Sequence, residues 1–242
     1  MMGLMLIDDG ANGVPALGDL LRTWSLPPAP LITLSIALVL YLRGWGVARV
    51  TRGRELPVWR AACFVAGSAM LWIALASPID ALDDYLLAAH MIQHFILMSI
   101  APPLIVLGAP VVPLLRGVPR VLIRRWLRPL FRAGWLRAVV HTLTHPVFAW
   151  IAMNVAYLGW HVPGAFELTF RSEWIHDFEH VCFFATSLVF WWVVLAPWPA
   201  RARWPRWAMI PYLLSADVVN TVLSGTLVFS GRVLPSRNPI LW

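Results

Sequence analysis

The chain has 242 residues, 60% of them hydrophobic and only 13% charged, with a mean hydropathy of +0.71. A soluble domain of this length would carry about a quarter charged residues, so the composition excludes a water-soluble fold and predicts an all-helical, polytopic membrane bundle. The net charge of +7 rests on nineteen arginines and no lysine. They sit in short clusters between apolar runs, which excludes a nucleic-acid-binding face and fits positive-inside topology.

Residues 1–30 form a lead-in that opens with Asp8 and Asp9 and closes on Pro27, Pro28 and Pro30. No basic segment precedes an apolar core and cleavage site there, so no cleaved signal peptide is expected. Residues 31–229 then read as a transmembrane domain of six spans, at 31–47, 58–76, 85–108, 146–160, 175–197 and 207–229. A tight acidic connection at 79–84 joins the second and third spans. The pair Pro102-Pro103 should kink or end the third. Residues 109–140 hold seven arginines among Leu, Ile, Trp and Phe, a composition that suits an amphipathic helix on anionic lipid. The tail, 230–242, is too short and polar to span.

Loops after spans one, three and five hold nearly all the arginines, and those after two and four hold Arg171 and most of the acids. That alternation makes 109–140 cytoplasmic and the N-terminus extracytoplasmic. Cys63 and Cys182 then fall in opposite leaflets, beyond disulfide reach, and are expected as free thiols.

The same topology orders the histidines. His90 and His94 lie four apart at the outer end of span three, where they share a helix face. His161 ends span four, and His176 and His180, again four apart, open span five. Five of seven histidines therefore sit at one depth on three helices, while His141 and His145 flank the opposite end of span four. Ionisable groups inside spans are costly and mark functional sites by default, and imidazole suits copper, zinc and iron. Asp177 and Glu179 are possible ligands or orienting partners, Met91, Met98 and Cys182 offer softer donors, and Asp217 and Asn220 on span six are further buried polar groups.

Blander readings stand beside these. A single intramembrane histidine can simply bond a carbonyl, Met91 and Met98 can be packing, and Cys182 a small apolar residue. Trp24, Trp59, Trp174 and Trp207 read as interfacial anchors. No P-loop, G-x-G-x-x-G, G-x-S-x-G or H-E-x-x-H occurs, so an enzyme is not expected. Besides a copper-binding protein, the pattern admits a haem protein with facing imidazoles, a histidine-lined transporter, and a structural scaffold.

Several ordered blocks resemble one family. His90-Met91-Ile92-Gln93-His94 runs into Ala101-Pro102-Pro103-Leu104 and Leu107-Gly108-Ala109-Pro110. Trp160-His161-Val162-Pro163 with Phe166-Glu167 follows, then His176 with Glu179-His180 and Phe190-Trp191-Trp192. Ala216-Asp217-Val218-Val219-Asn220-Thr221 and Phe229-Ser230 close the set. In this order the blocks resemble the CtaG-type assembly factors of bacterial cytochrome c oxidase, over about residues 72–234. The resemblance implies a multi-pass plasma-membrane protein needed to assemble a caa-type haem–copper oxidase. Its partners would be oxidase subunits and membrane lipids, not nucleic acid, and copper would be its cargo. It also brings an expectation of a seventh span with an Asp-Gln and Gly motif. This chain stops at Trp242, so either the sequence is truncated or this member works with six spans.

Overall fold

The structure is a computed structural model that describes Trp24 and residues 27–83 and 87–229. Those residues fold into helices and short connections, with no strand among them. The first is α1, Pro28–Arg52, which starts on a proline where the missing N–H has no intrahelical role. Then come α2, Val58–Ala76, and a short α3, Pro78–Asp83. The third apolar run starts as α4, Leu87–Phe95, widens into a π-helical turn at Ile96–Ile100 and resumes as α5, Ala101–Leu107.

After it come α6, Val111–Gly117, α7, Arg120–Leu122, α8, Arg128–Arg132, and α9, Gly134–Leu143. The second half consists of α10, Pro146–Trp160, α11, Pro163–Arg171, α12, Glu173–Leu195, and α13, Met209–Phe229. Four helical stretches are long and apolar enough to cross a membrane: Pro28–Arg52, Val58–Asp80, Ala89–Leu107 and Glu173–Leu195. The apolar α10 is shorter, and α13 stands where the sequence places a sixth span. The lead-in other than Trp24 and residues 27–30, together with the whole tail, lies outside the described residues.

Three expectations change in detail. The acidic connection folds into the single short turn of α3 rather than a loop, and its Asp80 carboxylate accepts a hydrogen bond from Gln93 Nε2 at 3.0 Å. The Pro102-Pro103 pair does not end its helix, which runs on to Leu107; the chain widens into a π turn just before it. Met98 O would accept from residue 102 in an α-helix and from residue 103 in a π-helix, and both are prolines without an N–H. The indole Nε1 of Trp191 donates to that carbonyl instead, at 2.9 Å. One side chain of α12 thereby repairs α4–α5 and pins the two elements together.

The third change concerns 109–140, which is not one surface helix. Gly117, Pro119 and the extended Ala133 divide it into short pieces. The pieces from Arg120 onward stay exposed, with Val121, Trp126 and Trp135 outward, which preserves the amphipathic character for that part. The first piece, α6, docks instead against α1 and buries Pro113 and Gly117. The crossing is so close that a Cβ on Gly44 would collide with the Pro113 carbonyl, and one on Gly117 with the Leu40 carbonyl.

The main core lies between α1, α2 and the α4–α5 run, around Tyr41, Phe64, Leu71, Leu97 and Ile105. Tyr41 stacks on Phe64 and donates its hydroxyl to Gly108 O at 2.7 Å, at the end of α5. A second cluster joins Met98, Met153, Phe183, Phe190, Tyr212 and Ala216 from α10, α12, α13 and the π turn. Both cysteines are free.

The glycine crossing gives a direct test. Gly44→Ala or Gly117→Ala must push α1 and α6 apart and should cost about 1–3 kcal/mol, read as a lower unfolding midpoint by circular dichroism in detergent. Gly46, on the same helix as Gly44, has open space on all sides, and a Cβ added there would meet no heavy atom within 4 Å. Gly46→Ala should therefore be neutral or stabilising by up to about 1 kcal/mol.

Candidate metal centre

The Trp191 tie and the second core cluster hold α4 and α12 side by side, and both helices start at the same end of the bundle. Each carries histidines at i and i+4 within its first turns, so each presents a vertical pair of imidazoles one turn apart. The pairs face one another level by level. His90 stacks on His176, with ring centroids 5.7 Å apart and planes 17° apart. His94 meets His180 edge-on at 5.4 Å. Within the pairs the spacing is 4.0 Å for His90 and His94 and 4.2 Å for His176 and His180.

The fifth ring comes from α10, which runs the other way against α12 and ends here. His161 follows its last residue, points back along the helix, and meets His94 at 6.3 Å. Its Nδ1 lies 2.7 Å from Tyr157 O. A carbonyl can only accept, so Nδ1 carries the proton and Nε2 keeps a lone pair, the tautomer a metal-ligating histidine needs. Phe166 and Phe183 wall the cluster with edge contacts to His90 and His94.

Burial is nearly complete. His90, His94, His161 and His180 are all buried, Glu179 is 1% exposed, and His176 is half-buried at the rim. Neither ring nitrogen of His94 has a hydrogen-bond partner among the described residues, and neither does Nε2 of His161. Native proteins rarely leave buried polar atoms so. Donor atoms of His90, His94 and Glu179 all lie within 4.8 Å of one another. An ion held at about 2 Å by each donor spaces them roughly 3–4 Å apart, so small side-chain rotations suffice. Glu179 thus brings a buried carboxylate into the same enclosure as the imidazoles.

The other expected supporting residues are placed differently. Asp177, one residue before the exposed Phe178, faces outward on α12. Asp217 is exposed and Asn220 half-buried on α13, and Met91 and Cys182 are half-buried. None of these five takes part in the ring contacts or donor grouping described above. Met98 is packed in the second core cluster. His141 and His145 are exposed at the far end, and His145 rests against Trp204.

One residue escapes sequence reasoning. Gln93 is fully buried between the two histidines of α4, and its Nε2 donates to Ala74 O at 2.8 Å as well as to Asp80. Ala74 lies in the last turn of α2, where carbonyls lack intrahelical donors. The amide thus clamps α2, α3 and α4 at the height of the cluster. Its signal in the sequence is a lone amide within an apolar run, three residues after His90 and one before His94.

These features define a membrane-type helical bundle with a cluster of five histidines, four of them buried, and one buried glutamate. A family model for the cytochrome c oxidase caa3 assembly factors matches residues 39–238, and the chain belongs to that family. It is 27% identical over 229 residues to uncharacterised proteins of Mycobacterium bovis and Mycobacterium tuberculosis, covering 88% of this chain but 33% of each of theirs. A Mycobacterium leprae protein, also uncharacterised, is 29% identical over 174 residues, 70% of this chain and 26% of its own. The chain therefore spans about a third of the length of these relatives. No solved structure matches.

The clamp is testable apart from the histidines. Gln93→Leu strands the Ala74 carbonyl in an apolar interior and should cost about 1–3 kcal/mol. Gln93→Glu, which keeps the shape but sets a carboxylate against Ala74 O and Asp80, should destabilise at least as much. Thermal unfolding in detergent measures both, and a Gln93→Leu midpoint equal to wild type would refute the clamp.

Proposed function

We propose that this chain takes part in oxidase assembly by holding copper in the histidine cluster and handing it to an oxidase subunit. The observation that carries the reading is His94, buried at the point where His90, His161 and His180 converge, with both ring nitrogens unpartnered among the described residues. Imidazole nitrogens with one carboxylate bind divalent copper ahead of the other first-row metals. The oxidase that this family assembles requires copper as well as haem. On this reading the chain is a carrier and scaffold rather than an enzyme.

Topology supports the direction of delivery. Arg49, Arg52, Arg54 and Arg60, the arginines between 116 and 137, and Arg201, Arg203 and Arg206 all belong to one end of the bundle. By the positive-inside rule that end is cytoplasmic. Counting α10 and α13 with the four long apolar helices gives six crossings of the plasma membrane. The N-terminus and the histidine end then face outward, toward oxidase domains on that side. A haem reading is less well served, because its macrocycle would have to displace rings already 4.0–5.7 Å from one another.

Protein purified in detergent from copper-replete cells should carry copper and show no Soret band. His94→Ala should lose at least half of that metal while remaining in the membrane, and cells carrying it should accumulate copper-deficient oxidase. A wild-type protein without copper, beside a His94→Ala strain whose oxidase has its full copper content, would overturn the reading.

A further inference from the structure

The cluster has more donors than one ion needs, and they are arranged in levels. His90 and His176 lie near the starts of α4 and α12, and His94 and His180 lie one turn deeper, about 6 Å along the axis at 1.5 Å per residue. Across the two helices His90 stacks on His176 and His94 meets His180 edge-on. His161 joins the deeper level through His94. One member of the outer pair, His176, is half-buried, whereas His90 and the three deeper histidines are all buried. Glu179 belongs to neither level alone, because a carboxylate oxygen lies within 4.8 Å of donor atoms of both His90 and His94.

We infer that the site is a two-position ladder: an outer position at His90 and His176, an inner one at His94, His161 and His180, and Glu179 serving both. This rests on the copper reading above and adds a route to it. An ion enters past His176, where the cluster meets the surface, and is captured by the outer pair. Glu179 remains a ligand while the ion exchanges two outer imidazoles for three inner ones. The extra imidazole and the complete burial make the inner position the tighter. The route runs in reverse for release, so a second ion arriving at the outer position favours neither loss nor gain of ligands by the first except through the shared carboxylate. No ligand set changes all at once, which keeps the barrier to each move low in a site where bare charge is expensive.

The test counts ions. Full-length protein in detergent is stripped of metal, titrated anaerobically with CuCl2 and followed by elemental analysis and electron paramagnetic resonance. Wild type should bind two Cu2+ per chain, the second equivalent broadening the signal of the first by spin–spin interaction. His90→Gln/His176→Gln should retain one ion, with the first-equivalent spectrum and no broadening. His176→Ala should weaken the second binding step at least tenfold and leave the first unchanged, whereas Glu179→Gln should weaken both. If the double variant fails to fold, the wild-type count and the broadening decide alone. Saturation of wild type at one ion without broadening would overturn the ladder and leave the copper reading standing. A metal-stripped wild type that takes up no Cu2+ at all would overturn both.

Discussion

Inside a membrane bundle a backbone carbonyl without a donor is more damaging than in water, because no solvent can replace the missing partner. The Pro102-Pro103 pair creates such a carbonyl at Met98, and the placement of the site follows from how it is satisfied. The π turn at Ile96–Ile100 cannot rescue it, since both residues that could donate are prolines. Only a side chain from another helix can, and Trp191 does so. With Met98 also packed against Phe183 and Phe190, the rotation of α12 about its own axis is fixed relative to α4. The histidines four and eight residues before Met98 are then bound to meet those at the start of α12. A feature that reads as a helix breaker thus sets which faces meet.

The same logic operates at the other side of α4. Gln93 satisfies a last-turn carbonyl of α2 and an acid of α3 together, so the helix bearing His90 and His94 is held from behind as well as from in front. Tyr41 does a comparable job for Gly108 at the far end of the run. Polar groups in this bundle are used where backbone continuity fails, and each such repair joins elements distant in sequence.

This explains which parts of the molecule are legible in the chain and which are not. Helix positions are legible because apolar run length and the Arg clusters speak directly to membrane crossing, and i,i+4 spacing guarantees that two imidazoles share a face. Which way that face turns is not legible. Helices α1, α10 and α13 are apolar all round, so periodicity carries no rotational information; the rotation is set by long-range contacts such as Trp191 to Met98. For the same reason Asp177 and Glu179 look equivalent, two residues apart beside the histidines, yet Glu179 turns inward and Asp177 outward. Gln93 has no special signature because its partner is a backbone carbonyl, which no sequence pattern displays. The 109–140 segment reads as one helix only while its amphipathic composition outweighs Gly117, Pro119 and the close fit of Gly44.

A purely structural role for the five histidines would make them behave like Nδ1 of His161, each bonded to a carbonyl left over by local helix geometry. His94 does not fit that description. It faces other imidazoles, and its nitrogens meet no donor or acceptor among the described residues. A leucine there would leave no polar atom stranded. On the copper reading proposed above, a coordinated ion removes the penalty of a stranded nitrogen, because it takes up a lone pair of His94 that no group among the described residues engages.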